Sequence, residues 1–185
     1  GILNLSSLGN EVGVSHTTAR EWLSILEASY IIFLLPPHHK NFNKRITKSP
    51  KLYFYDVGLA AYLLGIETSS QMRRDPLRGS LFENLVVIEF LKQRFEAVKP
   101  SNLSFFCDTN RNEVDLIMTS GNDLLAIEIK SGQTITNDFL KGLNHFEKIK
   151  KSESVIKVII YGGKESQLRS DITILPYTEC SQLRK

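Results

Sequence analysis

The chain has 185 residues, 42% hydrophobic and 23% charged, a balance that supports a packed core and excludes a disordered or fibrous chain. Its formal charge of +3 is too small to imply a polyanionic partner by sum, so the placement of the charges has to decide that question. No apolar run approaches the ~18 residues of a membrane-crossing helix, no basic leader precedes the first element, and Cys107 and Cys180 lack metal spacing. These features read as a cytoplasmic protein with reduced thiols. The opening Gly1-Ile2-Leu3 has no Met and reads as part of a longer protein.

Residues 1–65 read as one unit. Leu5, Leu8 and Val12 fall at helical spacing, Gly13-Val14-Ser15 turns the chain, and Ser15 or Thr18 caps a second helix with apolar positions Trp22, Ile25 and Leu26. A strand at 31–35 precedes Pro36-Pro37, which forbids helix. A second strand at 51–55 and a short helix at 57–64, capped by Asp56 and ended by Gly65, close the unit. Helix, turn, helix, strand, basic loop, strand is the order of a winged helix-turn-helix.

Residues 66–78 show no apolar periodicity and read as a linker. The second unit, 79–178, starts with a long helix near 78–95, with Leu81, Leu85, Ile88, Leu91 and Phe95 along one face. Strands follow at 103–107, 113–119 and 124–130, separated by turn formers. An amphipathic helix at 134–151 and a strand at 155–161, covered on both faces, complete an αβββαβ order.

Four polar side chains fall where this pattern expects burial. Asp115 shares a strand face with Glu113 and Ile117, and Glu128 and Lys130 share the face of Leu124 and Ala126. Leu125, Ile127 and Ile129 take the other face, which makes that strand central, and a carboxylate and an ammonium there are costly unless paired or metal-bound. Glu83 borders the apolar face of the long helix. Mg²⁺ or Mn²⁺ takes oxygen ligands, commonly one or two protein carboxylates completed by water and phosphate. Asp115 and Glu128 suit that need, Glu83 can hold a second ion or a metal-bound water, and Lys130 can steer or help deprotonate an attacking water in phosphodiester hydrolysis.

A helix Glu, then Asp, then Glu-x-Lys on an αβββαβ frame resembles the PD-(D/E)xK nuclease superfamily. The matching residues are Glu83, Asp115, Glu128 and Lys130, with Val114-Asp115 where the family has Pro-Asp. The resemblance implies a restriction-endonuclease-like α/β core with a mixed sheet. Segments Lys51-Leu-Tyr-Phe-Tyr-Asp-Val-Gly-Leu-Ala, Gly79-Ser-Leu-Phe-Glu-Asn, Asn112-Glu-Val-Asp-Leu-Ile and Ala126-Ile-Glu-Ile-Lys-Ser resemble the C-terminal region of bacterial and archaeal AAA-type ATPases. That resemblance implies an ATPase module upstream, then a winged-helix segment, then the nuclease-like domain.

The loop 38–51 carries Lys40, Lys44, Arg45, Lys48 and Lys51 and no acid. As a wing it would contact DNA phosphates without reading sequence; the alternatives are a solvated loop or one docked on the ATPase module. The second helix sets Glu21 and Glu27 against His16 and Arg20, so base-specific contacts are not expected from it. His38-His39, His16 and His145 read as surface residues. Tyr161-Gly-Gly-Lys164 lacks the Gly and Ser/Thr of a phosphate loop at Val158 and Glu165, so no ATPase activity is expected from these residues. The resulting expectation is a Mg²⁺- or Mn²⁺-dependent DNA nuclease or nuclease-like module. A non-catalytic nucleic-acid or protein interaction module regulating the ATPase, and an oligomerisation platform, stand as alternatives.

Overall fold

The computed structural model describes residues 1–38, 47–150 and 153–183. Local signals set the first elements. The Asn4 side chain accepts the amides of Ser6 and Ser7 and starts α1 (Leu5–Val12), which Gly13 ends with a left-handed φ of 75°. Ser15 caps α2 (His16–Ala28) by accepting the Thr18 amide. The strands β1 (Ile32–Leu35) and β2 (Lys51–Phe54) pair antiparallel, and Asp56 caps α3 (Val57–Leu63).

The segment expected to be a plain linker contains a further helix, α4 (Ser69–Arg74). Thr68 and Gln71 form a reciprocal capping box there, a local signal that needs no apolar periodicity. On α2 only Ala19 is buried, whereas Trp22 is 51% and Ile25 62% exposed. The regular spacing of those two side chains therefore does not mark a face packed among the described residues.

The long helix α5 (Arg78–Glu96) precedes β3 (Leu103–Cys107), β4 (Glu113–Ser120) and β5 (Asp123–Lys130). The amphipathic segment after β5 is helical later than its periodicity suggests. A 3₁₀ turn at Asn137–Phe139 leads into α6 (Leu140–Ile149). Then come β6 (Ser154–Tyr161), β7 (Gln167–Arg169), β8 (Ile172–Pro176) and a 3₁₀ segment, Tyr177–Leu183. The last two strands extend the expected core, and the order in the sheet is β3-β4-β5-β6-β8-β7. β5 and β6, and β6 and β8, are parallel, while the other neighbours are antiparallel. The fold is thus mixed α/β on a six-stranded mixed sheet.

Each face of the sheet has its own core. On one side Val87 and Phe90 of α5 pack with Leu116, Ile127, Ile129 and Ile160, and the β1–β2 hairpin adds Phe33, Leu35 and Tyr53. On the other, Leu143 and Phe146 of α6 pack with Ile117, Ala126, Ile159 and Ile174. β5 supplies apolar side chains to both, as its two apolar faces require of an interior strand. β6 carries one exception, Lys157, which is buried but ion-paired to Glu147 at 2.8 Å and to Asp171. Gly142 lets α6 sit on β4: a Cβ there would lie 1.9 Å from the Glu113 carbonyl oxygen. No helix among the described residues is long and apolar enough to cross a membrane.

Two histidines differ from their expected surface placement. His38 is buried, with Nδ1 3.1 Å from the Ser104 hydroxyl, because β1 leads it over β3, where its amide donates to the Phe105 carbonyl. His145 is half-buried, with Nε2 2.9 Å from Asp108 Oδ2. His39 lies outside the described residues.

Candidate functional site

The period of two on β4 turns Glu113 and Asp115 the same way, and on β5 it does so for Glu128 and Lys130. The antiparallel pairing of β4 with β5 then brings the two pairs side by side. The Ile129 amide donates to Asp115 Oδ2 at 2.8 Å, a bond that ties the side chain of one strand to the backbone of the other. Lys130 Nζ lies 2.5 Å from Glu128 Oε1 and 3.7 Å from Asp115 Oδ2. It also stands 5.8 Å from the centre of the Phe139 ring, within cation–π range.

Glu83 reaches the group through an intermediary. Lys51, the first residue of β2, places Nζ 2.7 Å from Glu83 Oε1, 2.5 Å from Glu113 Oε1 and 3.5 Å from Asp115 Oδ1. Tyr53 shares the Lys51 face of the strand, and its hydroxyl donates to the same Glu83 oxygen at 2.5 Å. Asp115 is therefore common to two clusters, with Oδ1 toward Lys51 and Oδ2 toward Lys130.

This placement corrects the expectation for Lys51. It does not belong to an exposed phosphate-contacting wing: its side chain is 3% exposed and sits 5.4 Å from the centre of the Phe105 ring. Burial of an ammonium is tolerated only with compensating charge, and three carboxylates from α5 and β4 provide it. Lys48 of the same basic run is exposed, and Lys40, Lys44 and Arg45 lie outside the described residues.

Proton affinities follow from burial and neighbours. Burial, with the Asp115 carboxylate beside it, pushes Glu128 up to about 8 despite the opposing pull of Lys130. Burial likewise raises Asp115, although Lys51 and Lys130 oppose it. Burial alone would raise Glu83, but Lys51 and the Tyr53 hydroxyl hold it below the ordinary carboxylate range. Burial alone would lower Lys51 and Lys130, yet both are raised, Lys51 among the groups of its own cluster and Lys130 by Asp115 and Glu128.

The acids differ in how fully their oxygens are satisfied. Glu83 already accepts two hydrogen bonds on one oxygen. Glu128 Oε2, by contrast, is buried and has no hydrogen-bond partner among the described residues. Such an orphaned acceptor is expensive and would be relieved by a proton or a bound cation. Among the described residues no group of three or more His, Cys, Asp and Glu side chains is placed to hold a metal by itself. Any ion at Asp115 and Glu128 would draw its remaining ligands from water or substrate, as Mg²⁺ commonly does.

Sequence reasoning missed the parts played by Glu113, Tyr53 and Lys51. The signals were present: Glu113 stands two residues before Asp115, and Lys51 and Tyr53 alternate on one face of a short strand.

Comparison with known proteins places these residues in two matched segments. Residues 1–70 match a domain of unknown function (DUF8612) and residues 78–180 match a second domain of unknown function (DUF4143). Lys51 and Tyr53 fall in the first segment, whereas Glu83, Glu113, Asp115, Glu128 and Lys130 fall in the second. The chain is similar to the uncharacterized protein Mb2031c of Mycobacterium bovis and the uncharacterized protein Rv2008c of Mycobacterium tuberculosis. Identity to each is 31% over 129 residues, covering 70% of this chain and 28% of theirs. The chain thus spans less than a third of the length of these curated relatives.

Proposed function

The chain belongs to the family of the second of those domains, DUF4143, and on that footing we propose that it carries a nuclease-like site for DNA at Asp115, Glu128 and Lys130. In this reading residues 79–178 have a restriction-endonuclease-like core and residues 1–65 are winged-helix-like. Both form the C-terminal part of a larger P-loop ATPase, for which the greater length of the relatives leaves room.

The observation that carries the reading is the buried Oε2 of Glu128, which has no hydrogen-bond partner among the described residues, next to a second strand carboxylate and a lysine. With Lys51 and Lys130 against Glu83, Glu113, Asp115 and Glu128, the fully ionised group has two more negative than positive charges. One divalent cation balances that excess. Asp115 and Glu128 would hold Mg²⁺ or Mn²⁺, which supplies Lewis acidity and positive charge against a phosphodiester. Lys130, the more exposed of the two lysines at 35%, is available to a phosphate oxygen. Glu83 in this arrangement anchors Lys51 and Tyr53 and is not a ligand, which narrows the role expected of it.

A second reading is favoured by a separate observation. Lys51 already fills the space among three of the acids, as it would in a domain that keeps a nuclease frame and binds DNA or a protein partner without cutting.

The test is Mn²⁺ calorimetry together with a nicking assay on supercoiled DNA, comparing the parent chain with a Glu128→Ala/Lys130→Ala variant. Binding and nicking that are both lost in the variant support the catalytic reading. A parent that neither binds Mn²⁺ nor nicks DNA ends it. Salt-dependent DNA binding that survives the double variant but weakens when Lys44 and Arg45 are changed to Ala supports the binding module.

A further inference from the structure

The acid cluster is assembled across the two matched segments, and the residue that bridges them is a cation. Lys51 comes from residues 1–70, and all three carboxylates that receive it come from residues 78–180. A lysine ammonium has three N–H donors, and three carboxylates surround this one. Its side chain is 3% exposed, so water does little to screen the charge. Tyr53 completes Glu83 from the same strand, and the Asn84 side chain makes two hydrogen bonds to the Phe54 backbone that fix that strand against α5. Nothing about this lysine resembles a mobile surface cation.

We propose that Lys51 is a tethered second cation of the site: it occupies the Glu83–Glu113–Asp115 side permanently and confines a divalent ion to the Asp115–Glu128 side. The inference rests on the metal-binding reading given above and adds to it the number of ions and the residue that sets it. Asp115 is the shared member, with Oδ1 toward Lys51 and Oδ2 toward Lys130 and the Ile129 amide, so the two clusters divide its charge. Like charges repel strongly at such separations in a poorly hydrated site. Lys130, 35% exposed, can turn from Glu128 toward solvent as an ion enters, whereas Lys51, 3% exposed, has no such exit, so a second divalent ion cannot join while that ammonium is in place. The N-terminal segment, lacking any carboxylate in the cluster, in this way governs how many ions the second segment binds.

The experiment is Mn²⁺ titration calorimetry on the whole 185-residue chain, with and without Lys51→Met. The wild type is expected to take up one Mn²⁺. Lys51→Met is expected to take up a second, which Glu83→Gln added to it removes. Should Lys51→Met fail to fold, Lys51→Met/Glu113→Gln carries one fewer uncompensated charge, keeps Glu83 and Asp115, and is titrated instead. A folded variant with unchanged stoichiometry overturns the assignment of Lys51. If the single wild-type ion is lost in Asp115→Asn at the same time, the metal reading itself survives. If neither the wild type nor the Lys51 variants bind Mn²⁺, both fail together. Uptake by the variant alone supports the tethered cation.

Discussion

Asn84 and Phe54 form a closed pair: the Asn84 Nδ2 donates to the Phe54 carbonyl and its Oδ1 accepts the Phe54 amide, both at 2.8 Å. Each residue is the immediate neighbour of a site residue, Glu83 on α5 and Tyr53 on β2. The pair therefore fixes the offset between helix and strand that lets Lys51 and Tyr53 reach Glu83. A buried side-chain amide that satisfies both polar groups of one backbone residue in this way acts as a substitute strand neighbour.

Replacing Asn84 with Leu keeps the number and branching of the side-chain heavy atoms and removes both bonds. The expected loss is about 1–3 kcal/mol of stability, because two backbone groups lose their partners where burial limits replacement by water. Chemical denaturation measures it, and a variant as stable as the parent would show that the clamp contributes nothing.

Lys51→Met should be among the most destabilising substitutions at the site in metal-free buffer. It leaves carboxylates facing one another with their compensating charge removed, a change that costs about 3–5 kcal/mol for buried pairs. Adding Glu83→Gln should restore part of that loss, since it removes one of the charges left behind. Non-additivity in a double-mutant cycle of thermal or denaturant unfolding is the readout. Additive effects would mean that the two side chains do not interact energetically.

The raised proton affinity of Glu128 makes stability depend on pH. Its carboxyl titrates near about 8 in the folded chain, against an ordinary value of 4.5, so the folded state holds a proton that the unfolded state releases. The stabilisation is complete below about pH 4.5 and is lost as pH rises to about 8, by at most about 1.4 kcal/mol per pH unit. Glu128→Gln mimics the protonated form, so the difference in stability between variant and parent should widen over that interval. Parallel pH profiles in metal-free buffer would rule the effect out.

Gly142→Ala tests how α6 sits against the site. The added methyl would meet the Glu113 carbonyl oxygen at 1.9 Å, so helix or strand has to move. A loss of about 1–3 kcal/mol is expected from overpacking. Because the Glu113 side chain also contacts Lys51, the shift should add to any change in Mn²⁺ affinity at the neighbouring acids. Denaturation and Mn²⁺ titration of the variant check both parts, and an unperturbed melting curve would contradict the close approach.

The local elements are largely legible in the amino-acid order. Ser15 and Asp56 announce their helices because a capping oxygen acts within three residues, and the alternation in β4 and β5 states which side chains share a face because that period is a property of the backbone. The α4 helix is not legible from periodicity because its signal is a capping box without an apolar repeat, and β7 and β8 lie past the end of the expected frame. Trp22 and Ile25 keep a helical period although both are exposed.

Lys51 marks the limit of such reading. In the sequence it closes a run of basic residues without an acid, which reads as a phosphate-contacting wing, a solvated loop or a loop docked on another module, all of them outside a core. Whether a lysine is solvated or buried depends on which charges arrive from elsewhere, and those come from α5 and β4, far along the chain. Periodicity reports the face a residue occupies on its own strand, but not which strand, helix or hairpin is laid against it. The amino-acid order determined the elements, their faces and the acids on them; only the packing of the hairpin against the sheet decided that an ammonium, and not open solvent, stands among those acids.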